Sequence, residues 1–410
     1  MRKVRQADDV KGQTGGRWLL VLVILLGFAA GTAWAGTGLD DQLAAILGPR
    51  DAVAVTAPDG SIVAAVHADA LLVPASILKV VTSLAALHHL GADHRFATDF
   101  FLKPDGQLVI KGYGDPLLVS ERVARIATEL AQRIERVQGL MLDDTHFDHP
   151  LVVPGRGGSA RSYDAPNGAL CVNFNTFFFE RRNGTWVSAE PQTPLLPFMT
   201  GPIEASGLRT GRITLAGNRR EMLRYSGELF DHFLNKAGIQ TSGTVTAGQV
   251  DPEGDTLLWR HLSEHHLTRI ISDLLYFSNN FIANQLLLAM GAQVYGPPAT
   301  MEKGMAVLQH YYAETLGITT GTLVEASGLS RQNRISARSM LHVLDQFQPH
   351  YTLMRHEGRQ WYKTGTLQGV STRAGYLPAE AGGMYRFVVM INTPGKTTDR
   401  VMRLLERQLK

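Results

Sequence analysis

Ser76 and Lys79 stand three residues apart in PASILKVVTSLAALHHLG (74–91), a stretch patterned as an amphipathic helix. Helical geometry puts positions i and i+3 on one face, so a hydroxyl and an amine become neighbours. An amine along an apolar face is costly unless something uses it. The hydroxyl is then a candidate nucleophile and the amine its base, provided the lysine is neutral, which a free lysine of pKa about 10.4 is not. Alone, the pattern is more commonly an N-cap serine beside a snorkelling lysine. Two further patterns shift that balance. Ser278-Asn279-Asn280 falls where two helical stretches meet, so its side chains can project from a turn. Lys363-Thr364-Gly365-Thr366 lies inside the strand-like GRQWYKTGT. Taken singly, Ser278 reads as a helix cap and Lys363 as a solvated strand lysine. Three such motifs in this order, each on a suitable element, point to one site for acyl transfer to a serine.

The elements that must position these residues can be placed from periodicity and turn chemistry. LDDQLAAILG (39–48) reads as a short helix, and DAVAVTA and SIVAAVHA read as a hairpin turning at Pro58-Asp59-Gly60. The Ser76 helix ends at Gly91, a suitable C′ residue. FATDFFL and LVIKG read as strands, SERVARIATELAQRI (120–134) as a helix, and 150–164 as a glycine- and arginine-rich loop. ALCVNFNTFFFE and TWVSAE form a second hairpin around Asn183-Gly184. From about 263 onward come four helices: SEHHLTRIISDLLYFS with Ser263 as N-cap, NNFIANQLLLAMGAQ, ATMEKGMAVLQHYYAETLG and SARSMLHVLDQF. GRQWYKTGT, GVSTRAGYL and MYRFVVMIN follow as strands, closed by the helix TTDRVMRLLERQL. The first hairpin and these last strands can share one antiparallel sheet flanked by the terminal helices. The expected fold is therefore α/β: residues 36–95 and 255–410 form the domain carrying the chemistry, interrupted by a mainly β insertion at 96–254.

Composition bounds the rest. The 410 residues are 44% apolar and 19% charged, ordinary for a globular chain with a sizeable core. Of 40 basic and 37 acidic residues, five and two lie in 1–35, so the net +3 belongs to the leader and the body is balanced. Nothing in that balance indicates a nucleic-acid surface. Basic residues up to Arg17, the apolar WLLVLVILLGFAA and small residues at Ala33 and Ala35 form the layout of a signal peptide cut after Ala35. An uncleaved anchor is the alternative, leaving membrane-surface association open. Either way the body is expected outside the cytoplasm. Cys171 is the sole cysteine, excluding an intrachain disulfide, and its apolar setting marks it as structural. His261-Leu262-Ser263-Glu264-His265 matches a zinc-peptidase pattern, but with His261 ahead of the helix the two histidines cannot share a face.

With KGYGDP (111–116), LDDTHFD (142–148), YDAPNGALCVNFN (163–175), SGLSRQNRIS (327–336) and KTGTLQGVSTRAGYL (363–377), the chain resembles the low-molecular-mass penicillin-binding D-alanyl-D-alanine carboxypeptidases and endopeptidases with an inserted domain. The 202-position spacing from Ser76 to Ser278 agrees with an insertion, whereas a class A β-lactamase carries the motifs closer together. The resemblance implies a serine β-lactamase/D,D-peptidase-like domain and a cell-wall D,D-peptidase. Ser76 would be the nucleophile, Lys79 its base, Ser278 a proton relay and Asn280 the group that orients Lys79 and meets the substrate. Lys363, Thr364, Gly365 and Thr366 would receive the substrate strand and its C-terminal carboxylate, with the Ser76 and Thr366 amides as oxyanion hole. Arg331 and Gln368 would contact the peptide side chain. Relatives often place an acidic residue in the insertion to meet a diamino acid; here the loop PGRGGSARSYDAP (154–166) offers only Asp164, close to its Ala-Pro pair, and otherwise arginines. Peptidoglycan peptides and β-lactam antibiotics are the implied ligands, and no metal or organic cofactor is needed. A serine β-lactamase and a non-catalytic murein-binding scaffold are the rival readings.

Overall fold

Strand Asp51–Thr56 is buried along its whole length, with a valine series on one face and an alanine series on the other. Such a strand needs cover on both sides. In the computed structural model, which describes residues 38–215 and 218–409, it lies inside a six-stranded antiparallel sheet. The strands run in the order Arg355–Glu357, Gln360–Leu367, Val370–Pro378, Met384–Ile391, Asp51–Thr56, Ile62–Val66. Val53, Val55, Val389 and Ile391 pack on helices Leu39–Ala44 and Asp399–Gln408. Ala52, Ala54, Val388 and Met390 face a helical layer built from Lys79–Leu90, Leu267–Phe277, Asn280–Tyr295, Met301–His310 and Ala337–Phe347. The small alanines let that layer approach closely. Helix Asn280–Tyr295 is mostly apolar and buried from Phe281 to Gly291, as its central position requires, with the buried Asn284 and Gln285 hydrogen-bonded to neighbouring backbone. The hairpin at 51–66, the terminal helices and the break at Ser278 fall where the sequence places them.

A second sheet has the order Thr256–Leu262, Ala97–Leu102, Leu108–Gly112, Leu140–Asp143, Val245–Ala247, and a third joins Thr185–Ser188, Thr176–Arg182 and Thr210–Thr214. Asn183 and Gly184 take the left-handed conformations a two-residue hairpin turn demands. The expectation of a mainly β middle segment needs extending. Helix Arg219–Lys236, 18 residues long and capped by Asn218, packs Leu229, Phe230 and Phe233 with helix Ser120–Leu130 into the core of this region. Strand Thr256–Leu262, placed by sequence in the 255–410 segment, pairs with Ala97–Leu102. Ser263 is not a helix cap: its N–H closes onto Phe96 O at 2.7 Å, and the helix begins at Leu267 behind His266. The leader at 1–35 lies outside the described residues. Among those described, no helix is long and apolar enough to cross a membrane.

Candidate active site

The chain reaches Ser76 through a single 3₁₀ turn, Ala75–Leu78, which runs directly into helix Lys79–Leu90. Ser76 therefore sits inside the turn and caps nothing. Ala75, fully buried, has φ 49°, a conformation costly for a residue with a Cβ. Lys79 is completely buried, with Nζ 2.9 Å from Ser76 Oγ, 2.8 Å from Asn280 Oδ1 and 2.5 Å from Ser327 O. Burial holds the Lys79 amine well below the usual lysine range, Lys363 lowers it further and Glu325 opposes them. A neutral amine has two N–H donors and one lone pair. Two of its three neighbours are carbonyl oxygens, which can only accept. The lone pair is left for the hydroxyl of Ser76.

Ser278 occupies the C-cap of helix Leu267–Phe277 in a left-handed conformation, φ 56°. Asn279 then caps the next helix by accepting from Ile282 N at 3.2 Å. Asn280 is that helix's first residue, and its Nδ2 donates to Tyr163 O at 3.3 Å, which fixes Oδ1 towards Lys79. Lys363 Nζ donates to Ser278 Oγ at 2.7 Å and to Thr364 O at 2.6 Å. Burial lowers the Lys363 ammonium to about 7.

Gly365 explains how strand and turn meet. A Cβ there would lie 2.7 Å from Ser76 N and 2.9 Å from Pro74 O, so only glycine lets the strand pass this close. Thr372 Oγ1, one strand over, donates to Pro74 O at 2.7 Å. Thr364 and Thr366 alternate outward, exposed, into a cleft of about 880 Å³ that Ser76, Ser278 and Asn280 also line. Arg331 and Gln368 border the same cleft, the Arg331 guanidinium donating to the Gln368 carbonyl. All ten residues singled out by sequence thus converge.

Other candidates are used elsewhere. Asp164 is buried and its carboxylate accepts from Gly157 N, Ser159 N and Ser159 Oγ, so it organises its own loop. His261 lies on a strand, and Glu264 pairs with Arg122 and Arg125, which breaks up the zinc-peptidase pattern. Cys171 accepts from Asn175 Nδ2 at 3.0 Å, and burial pushes its thiol up to about 12. The sequence reading missed Glu325, Ser327 and the Tyr163 carbonyl. Only the EASGLSR run hinted at the first two, by placing an acid just before a glycine turn.

The model of the D-Ala-D-Ala carboxypeptidase 3 (S13) family matches residues 39–195 and 199–356. That span includes Ser76, Lys79, Ser278, Asn280 and Glu325 but stops short of Lys363, whose placement rests on the geometry above. The chain is similar to a D-alanyl-D-alanine carboxypeptidase of Actinomadura sp. strain R39, 27% identical over 388 residues, covering 76% of this chain and 72% of the relative. In fold it is similar to penicillin binding protein 4 (dacB) of Haemophilus influenzae, with TM-score 0.74 at 21% identity, covering 90% of this chain and 98% of that one. It is also similar to the Bd0816 predatory endopeptidase of Bdellovibrio bacteriovorus, with TM-score 0.54 at 16% identity over 87% and 90% of the chains. The chain belongs to the D-Ala-D-Ala carboxypeptidase 3 (S13) family.

Proposed function

We propose that the chain is a serine D,D-peptidase of the cell envelope, cleaving D-alanyl-D-alanine-type bonds in peptidoglycan stem peptides through an acyl-enzyme on Ser76. The observation that carries this reading is the buried Lys79 amine, bonded to two carbonyl acceptors with its Nζ 2.9 Å from Ser76 Oγ. Ser76 gives its proton to neutral Lys79 and attacks the carbonyl carbon of the penultimate D-alanine. The Ser76 and Thr366 amides receive the developing oxyanion. Ser278 passes a proton to the departing amine as the peptide bond breaks, which leaves an ester on Ser76. Water, deprotonated in the same site, then attacks that ester, releasing the acid and restoring the hydroxyl.

Lys363, Thr364 and Thr366 hold the substrate carboxylate, Gly365 keeps the strand against Ser76, and the substrate lies beside that strand as an added β-strand. Arg331 and Gln368 meet the peptide side chain. With a free terminal D-alanine the reaction is carboxypeptidase action, and with a cross-link it is endopeptidase action. The domain carrying the site comprises 36–95 and the C-terminal part, with the middle lobe inserted up to Leu262, where strand pairing with Ala97–Leu102 ends. The leader at 1–35 exports the chain and either leaves or tethers it. Support also comes from relatives: the Actinomadura protein is a D-alanyl-D-alanine carboxypeptidase, and the Haemophilus protein is a penicillin binding protein also solved with a β-lactam.

The test is the intact mass of the purified chain after benzylpenicillin, beside Ser76→Ala. A one-to-one adduct on the wild type that the variant lacks is expected. A folded wild type without adduct overturns the reading in favour of a murein-binding scaffold. Rapid multiple turnover of penicillin would point to a β-lactamase instead.

A further inference from the structure

Glu325 is fully buried, yet it is neither a ligand to anything in the cleft nor part of an ion pair at its surface. Its Oε2 accepts from Ser327 N at 2.6 Å and Ser327 Oγ at 2.5 Å. Its Oε1 accepts from Asn333 Nδ2 at 2.7 Å and Ser330 N at 3.3 Å. Four hydrogen bonds thus converge on the two oxygens of one side chain. The turn they hold, 327–330, touches the chemistry in two places. The Ser327 carbonyl takes one Lys79 hydrogen at 2.5 Å. Gly328 lies so close to the nucleophile turn that a Cβ would sit 1.9 Å from Ala75 O. Thr82 Oγ1, one turn beyond Lys79, donates to Ala326 O at 2.7 Å and ties the segment to the same helix.

We propose that Glu325 is a positioning residue for the chemistry at Ser76: its carboxylate holds the Ser327–Ser330 turn so that the Ser327 carbonyl fixes Lys79 Nζ beside Ser76 Oγ. The inference rests on the serine-acylation reading and deepens it. The charge matters as well as the shape. Lys363 and Glu325 are the charged side chains acting on Lys79, from the Gln360–Leu367 strand and the 325–333 loop respectively. The groups it touches, Asn280 Oδ1, Ser327 O and Ser76 Oγ, are neutral. Without the carboxylate, Lys79 keeps only a lysine as charged neighbour, so it loses its proton at lower pH while its aim at Ser76 loosens.

Glu325→Gln presents an amide to a nest of donors. Asn333 cannot turn to accept, because its Oδ1 already accepts from Val324 N at 2.9 Å. The experiment measures the rate of acylation by a chromogenic cephalosporin against pH, alongside a ¹³Cε-lysine NMR titration of Lys79. For Glu325→Gln we expect a plateau rate down about tenfold or more, with the acid limb and the Lys79 titration both moved to lower pH. Glu325→Asp keeps the charge but falls a methylene short. It should hold the wild-type limb with a reduced plateau, and it covers the case in which the glutamine variant does not fold. Wild-type rate and limb in folded Glu325→Gln, or a wild-type plateau in Glu325→Asp, overturn the proposal. If the wild type itself is not acylated, the serine-acylation reading falls. The NMR titration then decides Glu325 separately, an unmoved Lys79 signal overturning it.

Discussion

Lys79 gains its position from contacts that reach it from three separate stretches of chain, at Ser76, Asn280 and Ser327. Those contacts fix where the amine points, while its loss of charge comes from burial first and from Lys363 second. The weak point of such an arrangement is the backbone contact that sets the Ser327 carbonyl. Gly328 combines φ +80° with the 1.9 Å approach to Ala75 O. Any Cβ there must push the turn or the nucleophile aside, since its nearest neighbour is backbone. Gly328→Ala is therefore expected to cut β-lactam acylation at least tenfold in protein that still folds, because a displacement near 1 Å already costs on the order of a hundredfold. Stopped-flow acylation on a sample checked by circular dichroism reads this out, and a wild-type rate would remove the turn from the catalytic argument. Ser76, Lys79 and Lys363 became candidates only through the order of three motifs on suitable elements, since each alone reads as a cap or a solvated lysine. Glu325 stayed hidden, since an acid in a loop looks solvated until the fold brings four donors around it.

At the scale of elements, Ser278 works because one helix ends and another begins within three residues. Helix Leu267–Phe277 stops with Ser278 in the left-handed conformation, and Asn279 starts the next helix through its side chain. The same two events aim the Ser278 hydroxyl at Lys363 and the Asn280 amide at Lys79. Removing the cap should loosen both. We expect Asn279→Ala to lower the unfolding free energy by about 1 kcal/mol and to slow acylation, with Asn279→Asp restoring the stability. Urea denaturation and acylation measured on the same samples decide it; a stability loss with an unchanged rate would mean the cap only holds the helix. This break was legible because Ser-Asn-Asn interrupts two apolar periodic runs. The Ser263 cap was misread for the opposite reason. Local chemistry offers a good N-cap there, but pairing of Thr256–Leu262 with Ala97–Leu102 carries the strand through to Phe96 and delays the helix to Leu267. Helix Arg219–Lys236 was within reach, since Met222, Leu223, Leu229, Phe230, Phe233 and Leu234 recur at helical spacing behind Asn218.

For the molecule as a whole, the sheet shared by residues 51–66 and 355–391 could be foreseen because alternating apolar strands at both ends of a chain need a common partner. What no local pattern announces is that this sheet and its helices enclose two lysines side by side, with a single carboxylate near Lys79. Folding must desolvate both amines, so the active site carries a stability cost that depends on pH. Burial brings Lys363 down to about 7 in the folded chain, against 10.5 for a solvated lysine in the unfolded one. Below pH 7 both states hold the proton and the folded state bears the full cost of the buried charge. Between about 7 and 10.5 the unfolded state binds more protons, so stability rises with pH across that window. Lys79, shifted in the same direction, adds to the rise. Replacing Lys363 by Met removes one titrating group while roughly keeping the volume of the buried stem. The unfolding free energy of the wild type minus that of Lys363→Met should therefore increase from pH 6.5 to pH 9.5 by at least about 1.4 kcal/mol, the equivalent of one pKa unit. Guanidinium denaturation at closely spaced pH values measures the difference. Parallel curves would mean that Lys363 keeps its proton throughout, and the site would then hold a permanent cation opposite Ser278.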